Sequence, residues 1–291
     1  MSLRRELEQH RHSLAEIRDI MNSMKTLAYM ETRKLAQCID AQRAVVESIE
    51  SAAADLLAYH PLLLPDTAVL TSVYLLIGSE RGFCGDFNHV LLQTLEQTLR
   101  ERGEQQPLLI VTGRKLYSML EGDKRLAIAL DGASVAEEIS EVLGHLVMEL
   151  TGLEEQHPGL AVYCLFHRGG NEVAVKSLLP PFPQALDVQQ SLRYPPVLNL
   201  PPQTLFTELS EHYLFAVLHQ MLYTSLHAEN HNRVTHMESA VNHLDEEAEH
   251  LRQRFNSLRQ EEITEEIEVI LLNAANLEGC CPETQRLRRR K

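Results

Sequence analysis

Apolar residues at both ends of the chain recur at alternating steps of four and three. From Leu3 the series runs through Leu7, His10, Leu14, Ile17, Met21, Met24, Ala28, Glu31, Leu35, Cys38, Gln42, Val45, Ile49, Ala52 and Leu56, broken only at His10, Glu31 and Gln42. A straight helix drifts off a 3.5-residue stripe, so a seam held this long predicts a left-handed supercoil against a partner helix. The same chain supplies a partner. Val234, Met237, Val241, Leu244, Ala248, Leu251, Phe255 and Leu258 form a second series, which resumes one residue out of register at Ile263, Ile267, Ile270, Ala274 and Leu277. An intrachain antiparallel coiled coil follows, because the intervening residues let the chain return.

Between the seams the period changes. The β-branched and aromatic run 73–77 reads as a buried strand ending at Gly78, and Val90, Leu91, Thr94, Leu95, Thr98 and Leu99 mark a helix closed by Gly103. Residues 108–112 and 126–130 repeat the strand signal, and Val135, Ile139, Val142, Leu143, Leu146 and Leu150 repeat the helix signal. Residues 160–167 and 172–178 read as a hairpin around Gly169-Gly170-Asn171. Strands alternating with helices imply a mostly parallel sheet covered on both faces, that is, a Rossmann-like α/β domain.

The expected organisation is an N-terminal coiled-coil helix over 1–60, a central α/β domain over 61–203, a C-terminal coiled-coil helix over 204–278 and a basic tail over 279–291. His60-Pro61 stops the first helix, Pro195-Pro196 and Pro201-Pro202 precede the last, and at 1.5 Å per residue the two helices would run roughly 85 and 110 Å. In the tail, five cations (Arg286, Arg288, Arg289, Arg290 and Lys291) stand against Glu283, so it should lie outside any dry bearing.

Composition narrows the function. A net charge of −14 argues against a nucleic-acid partner, because phosphate neutralisation needs clustered Lys and Arg. No stretch approaches the ~18 apolar residues of a membrane span, and the charged start lacks the apolar run of a secretory signal. Five cysteines without framework spacing suit a reducing compartment, so the chain reads as cytoplasmic.

The densest signature is Ser79-Glu80-Arg81-Gly82-Phe83-Cys84-Gly85-Asp86-Phe87-Asn88, placed where a strand passes to a helix. Cys84 could be the nucleophile of an elbow, but the flanking glycines are wrongly spaced for G-x-[SC]-x-G. Neither phosphate-loop pattern occurs, so Arg81, Gly82, Cys84, Gly85 and Asn88 read first as a structural turn. His227 and His231 stand one helical turn apart without the H-E-x-x-H order, and His236, His243 and His250 flank seam positions on an outer face. No catalytic, cofactor or metal site is expected.

This decapeptide resembles the S-D-R-G-L-C-G-G-x-N signature of gamma subunits of F-type ATP synthases. Phe255-Asn256-Ser257-Leu258-Arg259-Gln260-Glu261-Glu262-Ile263-Thr264-Glu265-Glu266-Ile267 is similar to that family's Y-N-x-x-R-Q-A-x-I-T-x-E-[LI]. Ala228-Glu229, Arg233-Val234 and Met237 resemble its S-E-x-x-A-R-M-x-A-M stretch, and Ile20, Met24, Ala28 and Arg33-Lys34 fall on its N-terminal helix pattern. Asp19 in place of the family's Lys, Asp86 in place of its second turn glycine, and the acids after Gln260 suggest a divergent branch, such as the variant sodium-type F-type ATPases.

The resemblance implies a central-stalk rotor that couples ion flow through the membrane sector to ATP synthesis or hydrolysis in a catalytic head. It implies the alpha and beta subunits, the epsilon subunit and the membrane c-subunit ring as partners, with no nucleotide bound by this chain itself. It places the chain peripherally on the cytoplasmic face of the inner (plasma) membrane, with Met24, Arg259, Gln260 and Thr264 facing loops of the catalytic subunits. The rival readings are a non-rotary coiled-coil scaffold or chaperone and a soluble doubly wound enzyme using Cys84.

Overall fold

The computed structural model describes residues 3–63, 71–157, 159–170, 172–182 and 195–279. The tail after Gly279, with its cations, lies outside them. Two long helices, α1 (Leu3–Tyr59) and α5 (Pro202–Gly279), bracket β1 (Thr71–Ile77), α2 (Phe87–Arg102), β2 (Leu108–Thr112), α3 (Arg114–Leu120), β3 (Leu126–Leu130), α4 (Ile139–Gln156), β4 (Leu160–Gly169) and β5 (Glu172–Leu179). The chain divides into two compact units, Met24–Met237 and Met1–Ser23 with Glu238–Lys291.

In the larger unit the sheet order is β3-β2-β1-β4-β5. β1 pairs in parallel with β2 and β4, β2 with β3 likewise, and the β4–β5 hairpin is antiparallel. The unbroken apolar run of β1 follows from its central place, since side chains alternate between two covered faces. Val73, Leu75 and Ile77 point into a core with α1, α4 and α5, whereas Tyr74 and Leu76 meet Leu91, Leu95 and Leu116 of α2 and α3. Gly103 closes α2 in the left-handed region (φ 69°), and the amide of Glu104 donates to Leu99 O, so the last turn keeps its hydrogen bonds.

α3 has no counterpart among the helices expected from the sequence. Its seven residues bury only Leu116 and Leu120, and an i, i+4 pair is too short a signal to stand out.

The seam of α1 also departs from the expected frame. Ala28 and Leu35 are buried as expected, but the next buried positions are Val46 and Ala53, while Val45 is 46% exposed and Ala52 is exposed. Leu35 to Val46 is an eleven-residue step, close to the natural period of a straight helix. Here α1 shares its core with Leu143 and Leu146 of α4 and Val217 and Met221 of α5, so no single partner helix imposes a 3.5-residue seam.

In the smaller unit α1 and α5 run antiparallel. Leu14 and Val241 are buried, and Leu244, Ala248, Leu251, Phe255 and Leu258 are half-buried. Arg18 Nε lies 2.5 Å from Asp245 Oδ1, an ion pair without hydrogen-bond alignment. His10 lies 3.9 Å from Glu247, and the Arg11 guanidinium sits 5.8 Å from the centre of the Phe255 ring. Among the described residues the resumed series meets no partner from Ile263 to Ala274, because residues 259–274 are all exposed.

Candidate functional site

The signature decapeptide turns the chain from β1 into α2, and its backbone is held from four directions. Gly85 (φ 61°) and Phe83 (φ 64°) both adopt the left-handed region, which glycine enters freely and phenylalanine rarely. The turn is closed from within. Ser79 N donates to Asn88 Oδ1 at 3.0 Å, and Asn88 Nδ2 donates back to Ser79 Oγ at 2.9 Å.

The second hold comes from Glu80, whose side chain is only 4% exposed. Its carboxylate accepts the amides of Arg114 (3.0 Å) and Gly132 (2.9 Å) and pairs with the Arg114 guanidinium. Burial raises the Glu80 pKa, but these donors outweigh it and the net shift is downward. One carboxylate therefore ties the turns after β1, β2 and β3 together at the end of the sheet. Close approach here requires glycine: a Cβ on Gly113 (φ 103°) would lie 2.7 Å from Ser79 O.

The third hold comes from α5. Glu229 and Arg233, one turn apart and 2% and 5% exposed, form a buried ion pair. Glu229 accepts the amides of Glu80 (3.4 Å) and Arg81 (3.3 Å), while Arg233 Nε donates to Gly82 O at 3.1 Å and its NH1 to Asn230 Oδ1 at 2.6 Å. Burial raises the Glu229 pKa; Arg233 and the two amides pull it back without cancelling the rise. Ser225 Oγ donates to Ile77 O at 3.3 Å, extending the same line of contacts along α5. From β4, His167 Nε2 donates to Phe87 O at 2.9 Å, with the two rings stacked 3.7 Å apart.

Cys84 is buried against Phe87 and Ala228, and its thiol donates to Arg81 O at 3.3 Å. Burial pushes the thiol pKa up, opposite to what a nucleophile needs. The Arg81 side chain, in contrast, is exposed. Among the described residues no three His, Cys, Asp or Glu side chains converge as a metal site would require.

Met24 is half-buried beside a cavity of about 260 Å³ that it shares with Leu27, Met30, Glu31, Arg81 and Arg233. Arg259, Gln260 and Thr264 are exposed on α5, in the other unit. The Thr264 hydroxyl donates to Gln260 O at 2.8 Å, so only its lone pairs remain for a partner. The anchoring roles of Glu80, Glu229 and Arg233 were not read from the sequence; the available signal was a carboxylate directly after a buried strand and an acid–base pair at i, i+4 among apolar neighbours.

The ATP synthase family profile matches residues 4–277, nearly the whole chain. The chain belongs to the ATP synthase gamma family. It is 26% identical to the ATP synthase gamma chain of Pelotomaculum thermopropionicum over 285 residues, covering 94% of this chain and 99% of that one. It is 25% identical to the gamma chain of Desulforamulus reducens, covering 96% and 100%. Among solved structures, the Euglena gracilis mitochondrial ATP synthase OSCP/F1/c-ring assembly contains a chain of the same fold (TM-score 0.64, 15% identity, 97% of each chain covered). The rotor of that enzyme gives a TM-score of 0.58 at 16% identity, covering 89% of this chain and 98% of that one. As a gamma chain it is the central-stalk rotor subunit of an F-type ATP synthase or ATPase, and long terminal helices around a mostly parallel sheet are the architecture of that stalk.

Proposed function

We propose that this gamma chain works without a catalytic site of its own, turning inside a head of alpha and beta subunits while its α/β domain meets the epsilon subunit and the c ring. In this reading the chain sits peripherally on the cytoplasmic face of the membrane. The observation that carries it is the exposed end of α5. Ile263, Ile267, Val269, Ile270, Leu271 and Leu272 are 44–66% exposed in succession, more apolar surface than a helix leaves in water unless a partner covers it. The burial of Cys84, which pushes its thiol pKa up, weighs against an enzyme built on it.

Met24, Arg259, Gln260 and Thr264 are the proposed contacts with loops of the catalytic subunits. Arg259 offers a planar fork to a carboxylate and Thr264 a short hydroxyl, so together with Gln260 they form a catch that breaks and reforms as the stalk turns. Alanine at Arg259 and Gln260 should reduce ATP turnover of the assembled complex more than its assembly. Unchanged turnover in the double variant would remove this assignment.

A further inference from the structure

A second cavity, of about 590 Å³, opens between α1, the β4–β5 hairpin and α5 within the larger unit. Its lining differs from the rest of this acidic chain. Arg43 comes from α1, Arg168 from β4 and Lys176 from β5, and among the described lining residues Asp40 is the only carboxylate. Three cations from three elements around one acid are unexpected in a chain of net charge −14, where a random patch would be acidic.

The cations are committed to different degrees. Lys176 Nζ donates to Glu50 Oε1 at 3.3 Å and lies 5.8 Å from the Tyr213 ring centre, so it is positioned. Arg43 meets Asp40 only at 3.8 Å, and both side chains are more than half exposed. Such a pair contributes little and releases its guanidinium readily. Arg168 is exposed and makes no ion pair among the described residues. Beneath this rim the cavity is bounded by Phe166 and Met221, both buried, and by half-buried Ile39. A cationic rim over an apolar floor, at a volume within the usual ligand range, is the make-up of a small-molecule site for an anion.

We propose that this cavity binds a small phosphate-bearing anion, its oxygens held by the forks of Arg168 and Arg43 and by the positioned ammonium of Lys176. The proposal goes beyond the rotor reading and does not depend on it, and its nucleotide form departs from the expectation that this chain itself binds no nucleotide. Two sources share this chemistry: free phosphate or pyrophosphate, and a nucleotide whose base would lie on the Phe166 and Ile39 side.

Calorimetric titration of the purified full chain with pyrophosphate and, separately, with ADP tests it. One-site saturable binding is expected, weakening with added salt and falling about tenfold in Arg168→Gln and again in Arg43→Gln/Arg168→Gln, as loss of a charge-assisted contact should. Both arginines are exposed, so unchanged circular dichroism is expected for the variants. Asp40→Asn should tighten binding by removing the one acid of the lining. ADP binding more than tenfold tighter than pyrophosphate would identify the nucleotide as the source; equal or weaker ADP binding would identify free phosphate groups. No saturation with either probe by a few millimolar, equal affinity in the double arginine variant, or weaker binding in Asp40→Asn would overturn the proposal.

Discussion

Replacing Arg233 with Met removes one half of the buried pair that holds the turn after β1 to α5. Met fills much of the space but leaves the Glu229 carboxylate, itself 2% exposed, with only the amides of Glu80 and Arg81 at 3.4 and 3.3 Å. Those bonds are long, and Gly82 O and Asn230 Oδ1 also lose their donor. Breaking a buried ion pair from one side costs about 3–5 kcal/mol, because the remaining charge is neither hydrated nor paired. Urea unfolding of the full chain at pH 7 should show a loss in that range for Arg233→Met. Glu229→Gln/Arg233→Met should lose less than the two single variants summed, by about 1–3 kcal/mol, since the second change removes the stranded charge. The sign with pH follows from the direction of the shift. Without Arg233 the folded-state pKa of Glu229 stands further above its unfolded value, so the deficit is largest at neutral pH and shrinks as pH falls through the variant's raised folded pKa, where the stranded carboxylate takes up a proton. Amide exchange at Glu80 and Arg81 should accelerate at neutral pH. A loss under about 1 kcal/mol, with those amides unchanged, would show that the pair is hydrated and does not anchor the turn.

Glu80 behaves oppositely: its folded pKa is depressed, so its contribution is present above the unfolded carboxylate value and lost as pH falls through the folded one. Glu80→Gln should therefore lose about 1–3 kcal/mol at pH 7 in urea unfolding and show a flatter acid limb than the parent chain, whereas parallel acid limbs would contradict the assignment. At the proposed contact with the catalytic subunits, Met24→Lys should lower the ion transport obtained per ATP turned over, because a fixed charge finds a partner in only some rotary positions. Met24→Leu should be tolerated, and equal coupling in the two variants would count against that position.

The sequence by itself determined the kind of the longer elements and the mostly parallel class of the sheet. A 4-3 apolar repeat at both ends leaves one stripe on each helix to bury, and a continuous apolar run such as that of β1 has no stable place except between two covered faces. The signature decapeptide and the stretch from Phe255 also carried the resemblance to the family. Tertiary structure decided what depends on neighbours distant in sequence. The burial register of α1 shifts between Leu35 and Val46 because α4 and α5 share that part of its surface, and no pattern within α1 records their positions. The spacing of Glu80, Glu229 and Arg233 gives them no anchoring role until folding brings residues 79–82 against α5 and the glycines after β2 and β3, where low hydration turns them into anchors. Ile263 and Ile267 read as seam, yet stand exposed within this chain, because periodicity states that a face must be covered but not which chain covers it.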